Sequence, residues 1–137
     1  MMTNKELCDT YPFLIPTDIK EWNYEYTLLD EMPQGWRIVF GEQMCQDIKD
    51  VLLDEGGQLL LNSYHVLEIK EKFGYLHWYG SFYTKRLNYI INKYGQLSEH
   101  ICINCGKTAT KISKGWISPW CDDCGPSDPS QYTVIRG

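Results

Sequence analysis

The sequence predicts an α+β protein: a small antiparallel sheet with two amphipathic helices, followed by a C-terminal zinc ribbon. Three observations predict it. Two segments repeat apolar residues every three or four positions, which is helical spacing. Others alternate apolar and polar residues, which is strand spacing. Four of the six cysteines fall into two Cys-x-x-Cys pairs, "CINC" and "CDDC", fifteen residues apart.

Taken in order, residues 1–19 read as an irregular segment, with Pro12 and Pro16 punctuating the apolar patch "YPFLIP". An α+β core spans residues 20–97. It opens on "EWNYEYTLL", where Trp22, Tyr24, Tyr26 and Leu28 alternate with polar residues as in a strand. "MPQGW" reads as a turn. In "FGEQMCQDIKDVLLDEGG", Phe40, Met44, Ile48 and Leu52 recur every four residues, and Gly56 and Gly57 read as the helix stop. Cys45 falls on the apolar face as a core thiol, whereas Cys8 has no evident partner.

"YHVLEIKEKFGYLHWYG" predicts a hairpin. Leu67 and Ile69 share one face, Leu76 and Trp78 do the same across the ladder, and Gly74 sits at the turn. The second helix is expected from about Phe82 to Tyr94, burying Tyr83, Leu87, Ile90, Ile91 and Tyr94, with Gly95 as its stop. Two helices on a small sheet are the simplest way to bury these faces. Residues 98–125 form the ribbon and residues 126–137, rich in turn formers, a tail.

The cysteine spacing is that of a structural zinc site. Two ligands separated by two residues grip one ion from a tight turn. Gly106 and Gly125 follow the pairs directly and permit the positive φ that such turns need. "TATKIS" and "WISPW" read as short strands joined at Lys114–Gly115. Cys102, Cys105, Cys121 and Cys124 are therefore the expected ligands of one structural Zn²⁺ per chain. Two disulfides, a redox-active pair, an iron centre and His100 in place of one cysteine are the competing readings. Four thiolates close the coordination sphere, so the metal is expected to supply folding energy and no catalysis. On this reading Cys121→Ser disrupts the ribbon and leaves residues 20–97 folded.

The formal charge is −5, and a four-thiolate zinc site would carry it to about −7. Residues 1–60 hold twelve acidic and four basic groups, so the acidity is concentrated there. Such a chain is a poor non-specific DNA binder and suits a basic protein partner better. No apolar run approaches the ~18 residues of a membrane span, and "MMTNKELCDTYPF" has no signal-peptide core. These points lead to the expectation of an intracellular protein. No HExxH, Gly-x-Ser-x-Gly or phosphate-binding loop occurs in the sequence. Glu68 and Lys70, with Asp54 upstream, allow a small Mg²⁺-dependent nuclease, although alternating charge on a hairpin produces the same pattern. Lys107, Lys111 and Lys114 beside Trp116 and Trp120 allow a nucleic-acid-binding ribbon.

"YTLLDEMPQGWRIVFGEQMCQDI", "IKEKFGYLHWY" and "CINCGKTATKISKGWISPWCDDC" together resemble small proteins encoded by phages and prophages of Gram-positive bacteria. The resemblance covers roughly residues 24–124 and is most specific at Gly115-Trp116-Ile117-Ser118-Pro119. It implies action in the cytoplasm of an infected bacterial host. Small acidic phage proteins of this kind include anti-CRISPR proteins, some of which bind metal. The resemblance thus implies a non-enzymatic inhibitor of a host defence nuclease, the type II CRISPR effector being the expected partner. Asp47, Asp50, Asp54 and Glu55 on the first helix are the expected contacts, because a groove built for nucleic acid attracts negative charge.

Overall fold

The computed structural model describes residues 2–17 and 22–135. Its elements are helices α1 (Asn4–Thr10), α2 (Gln34–Trp36), α3 (Glu42–Ser63) and α4 (Lys85–Ser98), and strands β1 (Val66–Lys72), β2 (Tyr75–Gly80), β3 (Lys111–Ser113), β4 (Pro119–Trp120) and β5 (Tyr132–Val134). The protein is α+β, with a two-stranded antiparallel sheet, helices packed on it and a three-stranded C-terminal ribbon in the order β4-β3-β5. Among the described residues, no helix is long and apolar enough to cross a membrane.

The segment expected to be irregular contains a helix. Thr3 accepts from the Glu6 amide and the Glu6 side chain accepts from the Thr3 amide, a reciprocal cap that starts α1. Leu7, Cys8, Tyr11, Phe13 and Leu14 are all buried, so this segment is part of the core. Residues 18–21 lie outside the described residues. The strand expected across Trp22–Leu28 is not formed. The chain bends there, Tyr24 takes a positive φ of 66°, and a 3-10 turn follows at Leu28–Glu31. That turn lies against β1, where the Glu31 carboxylate accepts the Ile69 N–H at 3.3 Å. A side chain covers this sheet edge where the alternation had suggested another strand.

"MPQGW" is a helix start. α2 runs into a π-helical turn at Arg37–Gly41 and on into α3. Trp36, Phe40, Met44, Ile48 and Leu52 are all buried. Spacing of four drifts around a 3.6-residue helix, and the wider π turn offsets part of that drift between Trp36 and Phe40. Gly57 breaks α3 as a kink, with φ 65° and ψ −158°, and helical structure resumes to Ser63.

The hairpin forms as expected, with Ile69 opposite Trp78 and a turn at Phe73–Gly74. An irregularity between Val66 and Glu68 turns Leu67 outward, off the face it was expected to share with Ile69. α4 starts at Lys85, capped by Thr84, whose hydroxyl accepts the Leu87 amide. Tyr83 therefore precedes the helix and is exposed. Gly95 lies inside α4 and is a close-packing position: a Cβ there would sit 2.5 Å from the Tyr75 ring. One turn on, buried Ser98 accepts the Leu76 amide at 3.0 Å and donates to the Gly95 carbonyl, fixing α4 to β2.

The expected tail is also ordered. β5 pairs antiparallel with β3, Lys111 opposite Val134 and Ser113 opposite Tyr132. Three residues are too few to show alternation in a sequence otherwise rich in proline and serine.

Candidate metal centre

Each cysteine pair sits on its own tight turn. In the first, the Gly106 N–H donates to the Cys102 carbonyl at 3.1 Å and the Cys102 N–H to the Lys107 carbonyl at 2.7 Å. In the second, the Cys124 N–H reaches the Cys121 carbonyl at 3.4 Å. Gly106 and Gly125 take φ of +85° and +75°, the left-handed conformation that reverses the chain after each second ligand. β3 and β4 join the two turns, with Lys111 opposite Trp120. Outside the sulfurs, Lys107 pairs with Asp123 at 3.0 Å and Thr110 donates to Asp122 at 2.6 Å, tying one knuckle to the other.

The four sulfurs of Cys102, Cys105, Cys121 and Cys124 lie within 4.8 Å of one another. All six cysteines are free thiols, and the Cys105 and Cys121 sulfurs approach to 3.4 Å. Tetrahedral coordination at ~2.3 Å from each sulfur requires sulfur separations of about 3.8 Å. The cluster therefore fits a metal ion such as zinc. His100 is exposed and lies outside the four-sulfur cluster.

Electrostatics point the same way. Burial alone would raise the Cys102 thiol, but nearby backbone N–H groups of Cys105, Cys121 and Asn104 bring it down to about 7. The Lys107 N–H lowers Cys105, yet burial and the sulfurs of Cys121, Cys102 and Cys124 outweigh it and hold that thiol at about 12. Sulfurs this close cannot all ionise against one another, and a bound dication removes that obstacle. The Asn104 amide, 3.4 Å from the Cys124 sulfur, is a further donor to the cluster. By contrast, burial pushes the core thiols of Cys8 and Cys45 up, Cys8 to about 12, and makes both inert.

The first knuckle is seated on the start of the long helix. The Gly35 N–H donates to the Ile103 carbonyl at 2.9 Å, and the Trp36 indole N–H to the Ile101 carbonyl at 3.0 Å. A Cβ on Gly35 would lie 2.0 Å from the Cys102 carbonyl oxygen, and one on Gly106 would meet Val39 at 2.8 Å. Cys102 and Cys121 are buried, while Cys105 and Cys124 are half-buried at the outer side. Gly35 and Trp36 were absent from the sequence-derived site. The one available signal was a glycine beside a tryptophan, which reads equally well as a turn.

The other expected residues are dispersed. Asp47 accepts from the Tyr94 hydroxyl and from Gln43, Asp50 from Gln46, and Glu55 from Thr84. Asp54 is ion-paired with Arg86. Of the three ribbon lysines, Lys107 is paired with Asp123, and Lys111 is buried with its ammonium on the Pro126 carbonyl and over the Tyr132 ring. Glu68 and Lys70 pair with each other at 3.4 Å. Neither Glu68 nor Asp54 belongs to a metal-binding cluster among the described residues. Comparisons with protein-family models, curated proteins and solved structures give no match.

Proposed function

We propose that the chain is a non-enzymatic protein-binding module in which one zinc ion is a structural part of the fold. The observation supporting this reading is the closed donor set. Four sulfurs within 4.8 Å of each other fill a tetrahedron and leave no position for water or substrate. Four thiolates favour zinc over harder divalent ions. Purified protein is expected to contain about one zinc per chain, by elemental analysis. A folded protein free of metal, with four titratable thiols, would sink this assignment.

The target proposed for this module is a bacterial defence nuclease, the type II CRISPR effector, met in the cytoplasm of an infected host. The phage-protein resemblance and the acidity of residues 1–60 support this. The acidic face needs refinement. Asp54 is offset by Arg86 and Asp47 is half-buried, so the exposed Asp50 and Glu55 are the better candidates for long-range attraction. Such charges act mainly on association rate. Reversing both to lysine should slow binding to the purified effector about ten-fold at low salt, with the difference shrinking as salt rises. An unchanged rate and salt slope would remove the acidic face from the mechanism. Engagement of Lys107 and Lys111 within the ribbon places a nucleic-acid regulator behind this reading.

A further inference from the structure

The two hairpin tips of the molecule meet and hold a cleft between them. At one tip, Phe73 and Gly74 both have positive φ, 54° and 79°. A two-residue turn of this kind favours asparagine and glycine, and phenylalanine there is strained. Burial does not compensate, since Phe73 is 74% exposed. At the other tip, Gly115 turns the chain at φ +75°, and Trp116 is 78% exposed. The tips touch: a Cβ on Gly74 would lie 3.5 Å from both Ile117 and Pro119. The cleft between them has a volume of about 240 Å³ and is lined by Glu71, Lys72, Phe73, Gly115, Trp116 and Ile117.

Both walls are braced from behind. Buried Ser113 donates to the Trp116 carbonyl and accepts from the Ser118 amide at 3.0 Å and the Trp120 indole at 3.1 Å. On the opposite side, the Glu71 carboxylate accepts the Gly74 N–H at 2.7 Å. Lys72 makes no ion pair among the described residues. The cleft therefore offers two exposed aromatic side chains on braced turns, an apolar floor and one cation without an ion pair among the described residues. Preformed walls lower the ordering cost of binding, and exposed tryptophan and phenylalanine are the residue types that anchor interfaces.

We infer that this cleft docks an extended segment of a protein partner, which inserts a large apolar side chain between Phe73 and Trp116 and sets an aspartate or glutamate on Lys72. The charges select this occupant. A nucleic-acid strand needs a track of cations along its phosphates, and here one lysine, Lys72, lines the cleft beside Glu71, whose carboxylate already accepts the Gly74 N–H, in a chain of charge −5. The inference rests on the protein-binding reading above and is independent of the acidic face. Anchoring in a cleft acts on dissociation, whereas the acidic face acts on association.

The test is selection of a random linear peptide library on the immobilised full chain. Enriched sequences should carry an aromatic or large aliphatic residue with an acidic residue one or two positions away. A synthetic peptide of that sequence should bind at least ~ten-fold more weakly to F73N, W116A and K72E. F73N relieves the backbone strain, so its melting temperature should equal or exceed that of the parent protein while binding is lost. A motif bound equally by parent and F73N overturns the cleft. So does a concentration-dependent dimer abolished by F73N, which would make a second copy the occupant. If the purified effector is captured equally by both proteins, the cleft fails and the protein-binding reading stands. If no motif emerges and single-stranded oligothymidylate binds instead, both fall.

Discussion

Replacing Cys102 with serine is expected to unfold more than the ribbon. The strands of the ribbon have three, two and three residues. A segment of this size cannot hold itself by apolar burial, and a structural four-thiolate zinc site supplies about 10–16 kcal/mol of apparent binding energy at neutral pH. On the proposed zinc reading, loss of the metal frees the first knuckle. Its Ile101 and Ile103 carbonyls then leave the Trp36 indole and the Gly35 amide without partners. Each lost bond costs about 1 kcal/mol, and partial exposure of a buried tryptophan adds about 2 kcal/mol. A loss of at least ~4 kcal/mol is a large share of the 5–15 kcal/mol that stabilises a typical domain. Cys102→Ser should therefore lower the melting temperature by more than ~10 °C and shift Trp36 emission to the red. A zinc chelator should have the same effect on the unmutated protein. A cooperative transition at the parent temperature, with hydrogen exchange altered only beyond residue 98, would instead support the separable ribbon read from the sequence.

That separability is where sequence and structure differ most, and the reason is physical. A Cys-x-x-Cys pair followed by glycine is a local signal, because two ligands on one turn and the φ of Gly106 are decided by neighbouring residues. The hairpin at Phe73–Gly74 and the helix holding Met44, Ile48 and Leu52 were legible for the same reason. Docking is not local. Gly35 and Cys102 are far apart in the chain, and the sequence carries no mark that their backbones touch. Alternation misled at Trp22–Leu28, where strand spacing exists but Glu31 already accepts the Ile69 amide at the sheet edge. One missed signal was present. Thr3 and Glu6 have the spacing of a reciprocal helix cap, and reading it would have moved Leu7 and Cys8 from an irregular segment into the core. The expected acidic contacts had no such signal, since Arg86 beside Asp54 is a tertiary contact.

Gly35→Ala tests the docking without touching a ligand. The new methyl would lie 2.0 Å from the Cys102 oxygen and 2.7 Å from the Ile103 carbonyl carbon, both backbone atoms that no rotamer change can move. The knuckle must retreat, and the Gly35–Ile103 hydrogen bond, 2.9 Å in the native fold, is lost. Overpacking with a lost buried bond should destabilise by about 2–4 kcal/mol. Displacing the Cys102 backbone should also weaken zinc binding roughly ten- to a hundred-fold, the range seen when groups that orient metal ligands are removed. Gly41→Ala supplies the contrast. Gly41 also has helical dihedrals, and its Cβ would meet only side-chain atoms, Arg37 Cγ at 3.2 Å and Leu29 Cδ1 at 3.5 Å, so a shift of a few tenths of an ångström accommodates it. Helix propensity favours alanine there by up to ~1 kcal/mol, so its effect should be near neutral or stabilising. The same chemical change, six residues apart, should thus give opposite outcomes in urea denaturation and in competition for zinc with a chromophoric chelator. If the two variants behave alike, the helix start does not hold the knuckle, and the loss predicted for Cys102→Ser should stay within the ribbon. If only Gly35→Ala loses both stability and metal affinity, the zinc site is coupled to the core through the backbone contact at Gly35, and zinc release loosens the start of the long helix.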